Sequence, residues 1–196
     1  MPSYHFPPIA AGKALPNSMN IPNSLTLLRI LLIPVYIGLL IYEQFDQALI
    51  VLLIAGVTDA LDGTIARAAN QKTRLGAFLD PLADKLLLTS GFVTLSITHV
   101  IPSWVTIVVV SRDVILLLGT AVAQLTDTEI DITPTFLGKG TTFLQLAYVL
   151  LVIFLSSRHI GLDYLDPLLI GTVIFTLFSG FHYLYRGYRR TGSVLL

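Results

Sequence analysis

The sequence predicts an all-α integral membrane protein of six transmembrane helices, preceded by a short N-terminal segment on the cytoplasmic side. Three observations carry this. Of 196 residues, 54 % are hydrophobic and only 12 % charged, about half the charge of an ordinary soluble domain. Mean hydropathy is +0.79. Six apolar stretches are long enough, or nearly so, to cross a hydrocarbon core, which takes roughly 20 helical residues.

Residues 1–20 hold Pro2, Pro7, Pro8 and Pro16 and no apolar core of signal-peptide length. They are expected to form a flexible lead, with Met19 a candidate natural start. Residues 21–196 are expected to form one six-helix membrane domain. Pro22, Asn23 and Ser24 form the expected stop and cap before a first span at about 25–42. Pro34 inside that span is a kink that a membrane helix tolerates. The remaining spans are expected at about 47–67, 76–98, 102–124, 138–157 and 165–186. Short connections at 43–46 and 99–101 predict antiparallel hairpins. The 125–137 connection is longer and acidic, with Asp127, Glu129 and Asp131.

Basic residues give the orientation. Lys13, Arg29, Arg67, Lys72, Arg74, Lys139, Arg186, Arg189 and Arg190 fall on one side, counting span ends, and Arg158 on the other. Lys85 and Arg112 lie within spans and stay out of the count. Both termini, the 68–75 loop and the 125–137 loop are therefore expected in the cytoplasm. The formal net charge is zero and there is no cysteine. These exclude a global field for nucleic acid, a disulfide framework and a thiolate metal site.

The second and third spans contain residues that a lipid-facing helix should not. Asp59, Asp62, Asp80 and Asp84 are four carboxylates in segments otherwise fit for hydrocarbon. Even the lowest scales charge about 2.5–3.5 kcal/mol for one such group at a helix centre. Water, protonation or cations must compensate. Asp59, Asp62 and Ala66 share one helical face by steps of three and four, and Gly76, Asp80 and Asp84 share another by steps of four. The short polar 68–75 loop returns the second helix antiparallel to the first, so both acidic faces can meet near the cytoplasmic end. Hard oxygen donors in that number suit two Mg²⁺ or Mn²⁺ ions. Two such ions are also the usual clamp for displacement at phosphorus.

Gly63, Ala66, Gly76 and Ala83 allow close approach by a neighbouring helix or a ligand. Arg67 sits at the rim, where a guanidinium can pair with phosphate. Together these residues describe a pocket for a pyrophosphate carried by a nucleotide. The bland alternatives are a water-filled ion path or an interhelical polar knot. An ion path predicts acids spread over several spans or an inverted repeat, whereas these crowd one helix pair. A non-catalytic scaffold gives no reason to retain them.

Asp59-Ala-Leu-Asp62-Gly63-Thr-Ile-Ala66-Arg67, then Gly76, Asp80 and Asp84 at their spacings, resembles the signature of the CDP-alcohol phosphatidyltransferase family. That pattern is D-x-x-D-G-x-x-A-R-x8-G-x3-D-x3-D, and every specified position matches. The resemblance extends to Asn23-Ser-Leu-Thr26-Leu-Leu-Arg29, to Asp84-Lys85, to Ser111-Arg112-Asp113 and to Gly138-Lys139.

The resemblance implies that Asp59, Asp62 and Asp80 hold two divalent cations, Mg²⁺ or Mn²⁺. Asp84 would complete the second site and act as general base. Gly63, Ala66, Arg67 and Gly76 would border the cytidine and pyrophosphate of CDP-diacylglycerol. A homodimer in a bacterial-type inner membrane, its site open to the cytoplasmic leaflet, is implied likewise.

Arg112 is either an acceptor-phosphate ligand or half of a local pair with Asp113. Lys139 at a helix start opposes the helix dipole, which points to a ligand role. Lys85 suits a structural ion pair as well as a substrate contact. The four histidines show no metal-ligand spacing, and Trp104 and Tyr164 read as interfacial anchors. The acceptor implied first is glycerol 3-phosphate, giving phosphatidylglycerophosphate. The alternative is phosphatidylglycerol, giving cardiolipin: synthases of the first kind usually carry a second arginine about two turns after Arg112, and Thr120 and its neighbours offer none.

Overall fold

A computed structural model of the chain describes residues 21–68, 74–125 and 136–191, with side chains over 26–58, 82–119 and 137–183. The expected N-terminal lead, the centre of the 68–75 loop and the acidic 125–137 connection lie outside the described residues. The elements are α1 (Ile21–Ile41), α2 (Phe45–Ala68), α3 (Arg74–Ile97), α4 (Ser103–Leu125), α5 (Phe136–Ser157) and α6 (Asp166–Thr191). A 3₁₀ turn, Leu162–Leu165, leads into α6. There is no strand among the described residues, and each helix matches an expected span to within a few residues.

One boundary differs in kind. Helix α1 is already formed at Ile21, so Pro22, Asn23 and Ser24 lie in its first turn instead of capping it. The first four amides of a helix have no intrahelical acceptor, so Pro22 sacrifices nothing there. Pro34 stays inside α1, as expected.

Helix α1 packs against both α2 and α3, α3 against α4 and α5, and α6 against α4 and α5, with α2 on α5. The core is apolar and shared: Tyr36, Leu40, Leu52, Phe92, Val105, Val149 and Ile153 are buried in one cluster, and Phe92 stacks on Tyr148 with ring centroids 6.1 Å apart. Outside, the usual distribution is reversed. Leu31, Ile107, Leu118, Phe143, Phe178 and Phe181 are exposed, whereas Thr26, Arg29, Arg112, Asp113, Gln145, Thr176 and Ser179 are buried. Polar groups turned inward beneath an apolar surface suit a lipid surround better than water. Leu137–Ser157 and Leu162–Tyr183 are long and apolar enough to cross a membrane, and Thr26–Ile41 and Phe45–Thr58 are shorter apolar segments.

At the end of the bundle away from the α2–α3 connection, three helices stop in the same way. Glu43, His99 and His159 have φ of 57°, 58° and 54°. Each is followed by an amide that donates back to the helix: Gln44 to Leu39, Val100 to Leu95 and Ile160 to Leu155, at 2.8, 2.9 and 3.0 Å. This is the left-handed cap that satisfies orphaned carbonyls. It is formed here without glycine.

Candidate active site

Asp59 and Asp62 lie in the second half of α2, and Asp80 in the first third of α3. Their side chains, with those of Gly63, Ala66, Arg67 and Gly76, lie outside the described set. The helical course assumed for both acidic faces is present. Asp84 is described to its tip. Its side chain is 48 % exposed, and its Oδ1 accepts a hydrogen bond from Arg29 Nη1 at 2.8 Å. Arg29 itself is 1 % exposed. It was counted above among rim cations, but its guanidinium is buried under α3. A charge at that depth needs a counter-charge, and Asp84 supplies one.

Lys85 turns the other way. Its Nζ donates to Asp113 Oδ1 at 2.8 Å, and Arg112 Nη1 donates to the same oxygen at 2.7 Å. Arg112 Nη2 also donates to Ser179 Oγ on α6 at 3.0 Å. One buried carboxylate therefore serves two cations, joining α3 to α4, and Arg112 carries the tie on to α6. Lys85 and Arg112 thus form the structural ion pairs weighed for them above. Arg112 stands near the middle of α4, buried, with Nε lacking a hydrogen-bond partner, as does Asp113 Oδ2. Lys139 is exposed in the first turn of α5 and does not enter this knot.

A groove of about 240 Å³ opens beside Arg112 between α4 and α6, with Ile107, Ile115, Leu177 and Phe181 among its walls and Ser111 and Thr176 as further polar groups. Gly180 lines the same groove, and a Cβ there would make an ordinary van der Waals contact with Arg112 Cγ at 3.6 Å. Deeper in, Gln145 Nε2 donates to Thr176 Oγ1 at 3.2 Å.

Two participants escaped the sequence reading. Arg29 was visible as a lone charge in an apolar run, but nothing local names its partner. Ser179 carries no signal at all, being a small residue in an ordinary helix.

The metal-ligand reading can be tested on donor chemistry. Every candidate donor is a carboxylate oxygen, and Asp84 is open enough to reach a ligand, which fits Mg²⁺ or Mn²⁺. Among the described residues no group of three metal-binding side chains assembles, because three of the four aspartate side chains lie outside that set.

Comparison with known proteins agrees with the motif. Cardiolipin synthase (CMP-forming) of Rattus norvegicus is 44 % identical over 117 residues, covering 59 % of this chain and 39 % of that protein. CDP-diacylglycerol--glycerol-3-phosphate 3-phosphatidyltransferase of Bacillus subtilis is 33 % identical over 181 residues, covering 84 % of this chain and 93 % of that protein. A probable phosphatidylglycerophosphate synthase of Mycobacterium tuberculosis is 32 % identical over 193 residues, 94 % and 88 % of the two chains. The match to the animal cardiolipin synthases thus spans well under half their length. The family model for CDP-alcohol phosphatidyltransferases matches residues 19–178, the stretch that holds Arg29, all four aspartates, Lys85, Arg112 and Asp113, and this chain belongs to that family.

Proposed function

We propose that the protein transfers a phosphatidyl group from CDP-diacylglycerol to the hydroxyl of a glycerol-type alcohol and releases CMP. The observation that carries this is Asp84, a half-exposed carboxylate held from below by a buried arginine at the last position of the eight-point motif. In this reading Asp84 takes the proton of the acceptor hydroxyl. The acceptor oxygen then bonds to the lipid-bearing phosphorus, and the bond from that phosphorus to the CMP oxygen breaks. Asp59, Asp62, Asp80 and Asp84 would hold two divalent cations, which supply charge neutralisation at the phosphates. Gly63, Ala66, Arg67 and Gly76 would border the nucleotide and its pyrophosphate.

The apolar exterior and the asymmetry of basic residues support six membrane crossings with the site toward the cytoplasm, and the family resemblance supports a bacterial-type inner membrane. A homodimer follows from the family resemblance.

Glycerol 3-phosphate is the first acceptor, supported by the relatives of that name that align over most of both chains. A second reading, phosphatidylglycerol giving cardiolipin, is favoured by a specific observation. The groove beside Arg112 is lined mainly by apolar side chains, which suits an acceptor that is itself a lipid. Purified protein with Mn²⁺ and CDP-diacylglycerol, offered glycerol 3-phosphate, phosphatidylglycerol, serine and inositol separately, tests the reading. Phosphatidylglycerophosphate or cardiolipin is the expected product. Turnover with serine or inositol alone, or none with any acceptor, would overturn it.

A further inference from the structure

We propose that Arg29 is a positioning residue that sets the orientation of the Asp84 carboxylate. The inference rests on the reading of Asp84 just given and extends it to a residue on a different helix.

The pair is asymmetric in a telling way. The guanidinium is 1 % exposed and the carboxylate 48 %, so the cation belongs to the protein interior and the anion to the open side. A surface ion pair would leave both partners free to swing, and would be worth little. Here the buried partner is fixed by its packing, and one arm of its planar guanidinium, Nη1, reaches Asp84 from a fixed direction. Its contact with Oδ1 selects one orientation of the Asp84 side chain.

The helix beneath that side chain is fixed from both sides. Asp84 is tied to α1 through Arg29, while the next residue, Lys85, is tied to α4 through Asp113 at 2.8 Å. Two turns further along, the same pattern repeats with different chemistry. Gly91 takes the Tyr36 ring of α1 against its bare Cα, and the next residue, Phe92, accepts a hydrogen bond at its carbonyl from Thr106 of α4 at 3.1 Å. These four contacts hold the rotation of α3 about its axis. What remains adjustable is the Asp84 side chain, and Arg29 grips it at Oδ1. Misplacement of a reacting group by about 1 Å can cost roughly a hundredfold in rate, so such a grip bears on turnover directly.

The test compares wild type, Arg29→Gln and Arg29→Lys in detergent or nanodiscs with Mn²⁺ and CDP-diacylglycerol, following CMP release. Arg29→Gln is expected to lower kcat roughly tenfold to a hundredfold while leaving KM for CDP-diacylglycerol nearly unchanged. Arg29→Lys, which keeps the charge without the fork, is expected to fall between it and wild type. An activity-free readout accompanies this: thermal unfolding of Arg29→Gln, Asp84→Asn and the double variant. Coupled residues give a double variant clearly more stable than the two single losses added together. The inference is overturned if Arg29→Gln keeps wild-type kcat. It is equally overturned if KM rises in step with the fall in kcat, Arg29→Lys gives no recovery and the unfolding losses simply add, since that is the behaviour of a packing residue. Wild-type protein that releases no CMP with any acceptor is a separate result: it overturns the catalytic reading, and this inference with it.

Discussion

Tyr36 lies so close to Gly91 that a Cβ on the glycine would come within 2.7 Å of the tyrosine hydroxyl. Both residues stand two turns beyond the Arg29–Asp84 pair, each on its own helix. The equal spacing means that α1 and α3 run parallel in a heptad register, with an ion pair at one level and a ring against bare backbone at the next. The gap that Gly91 leaves therefore sets how near α1 can bring Arg29 to Asp84.

Gly91→Ala is accordingly expected to destabilise the protein by about 1–3 kcal/mol through overpacking, and to lower CMP release as the pair separates. The Tyr36 hydroxyl is fully buried without a hydrogen-bond partner. Tyr36→Phe should thus be neutral or stabilising, by up to roughly 1 kcal/mol. Combined with Gly91→Ala, it should recover part of the loss. Unfolding in detergent checks all three. A Gly91→Ala protein as stable and active as wild type would mean that the register does not govern the pair.

Asp113 is the second place where one substitution should matter. Removing its carboxylate leaves Arg112 buried and Lys85 partly buried, with no shared anion. Breaking a buried pair in this way costs about 3–5 kcal/mol, at the lower end here because Lys85 is 24 % exposed. Ser179→Ala removes one hydrogen bond to the same arginine and should cost about 1 kcal/mol. Denaturation of Asp113→Ala and Ser179→Ala in parallel should give losses in that order, and equal losses would mean the knot is not held by charge.

Much of the architecture was legible because long apolar helices announce themselves by length and apolarity, and all six described helices fell near their expected bounds. The entry to α1 was misread because Pro-Asn-Ser resembles a stop and cap, and the same residues are harmless in a first turn that has no donors to lose. The acidic constellation was legible by spacing within single helices. Its support was not. Arg29 to Asp84, Lys85 to Asp113 and Arg112 to Ser179 each join different helices, so they depend on which helices touch and in what register. Arg29 shows the cost of reading by position alone: a basic residue near a span end resembles an interfacial anchor until its burial is seen.

The three left-handed caps give a stability test remote from the site. A non-glycine residue in that conformation costs about 1–2 kcal/mol relative to its preferred regions. Glycine removes the strain but gains freedom in the unfolded chain, which takes back roughly 0.5–1 kcal/mol. Glu43→Gly, His99→Gly and His159→Gly, all at exposed positions, should each be slightly stabilising, by about 0.5–1 kcal/mol. Activity should not change. A loss of stability in any of them would show that the side chain makes a contact worth more than the backbone strain.

Turnover should require a divalent cation and stop on chelation, since four carboxylates crowded on one helix pair in otherwise apolar segments call for compensating charge. Within the four, roles should separate. Asp84→Asn is expected to abolish CMP release while retaining much of the CDP-diacylglycerol binding, whereas Asp59→Asn should weaken Mn²⁺ and nucleotide binding as well. Binding and turnover measured side by side decide this. Equal binding losses in the two variants, or full turnover in excess EDTA with no residual metal, would remove the assigned roles.

The acceptor contacts proposed for Lys139 and Arg112 call for different substitutions. Lys139 is exposed at the start of α5, so Lys139→Ala removes a charge without undoing the fold. Charge-assisted contacts to phosphate are worth about 1.5–3 kcal/mol, so its loss should raise the acceptor KM roughly tenfold or more and leave the CDP-diacylglycerol term alone. Arg112 is also structural through Asp113 and Ser179, and Arg112→Lys is the fairer probe because it keeps the charge in the knot while removing the fork. A terminal phosphate monoester carries nearly two charges and a diester one. Both penalties should therefore be larger with glycerol 3-phosphate than with phosphatidylglycerol. The groove beside Arg112 supplies the complementary test: Ile115→Trp would obstruct its apolar wall and should impair a lipid acceptor far more than a water-soluble one. Steady-state kinetics with each acceptor varied in turn will separate the cases. An acceptor KM unmoved by all three substitutions would place the acceptor pocket away from α4, α5 and the groove.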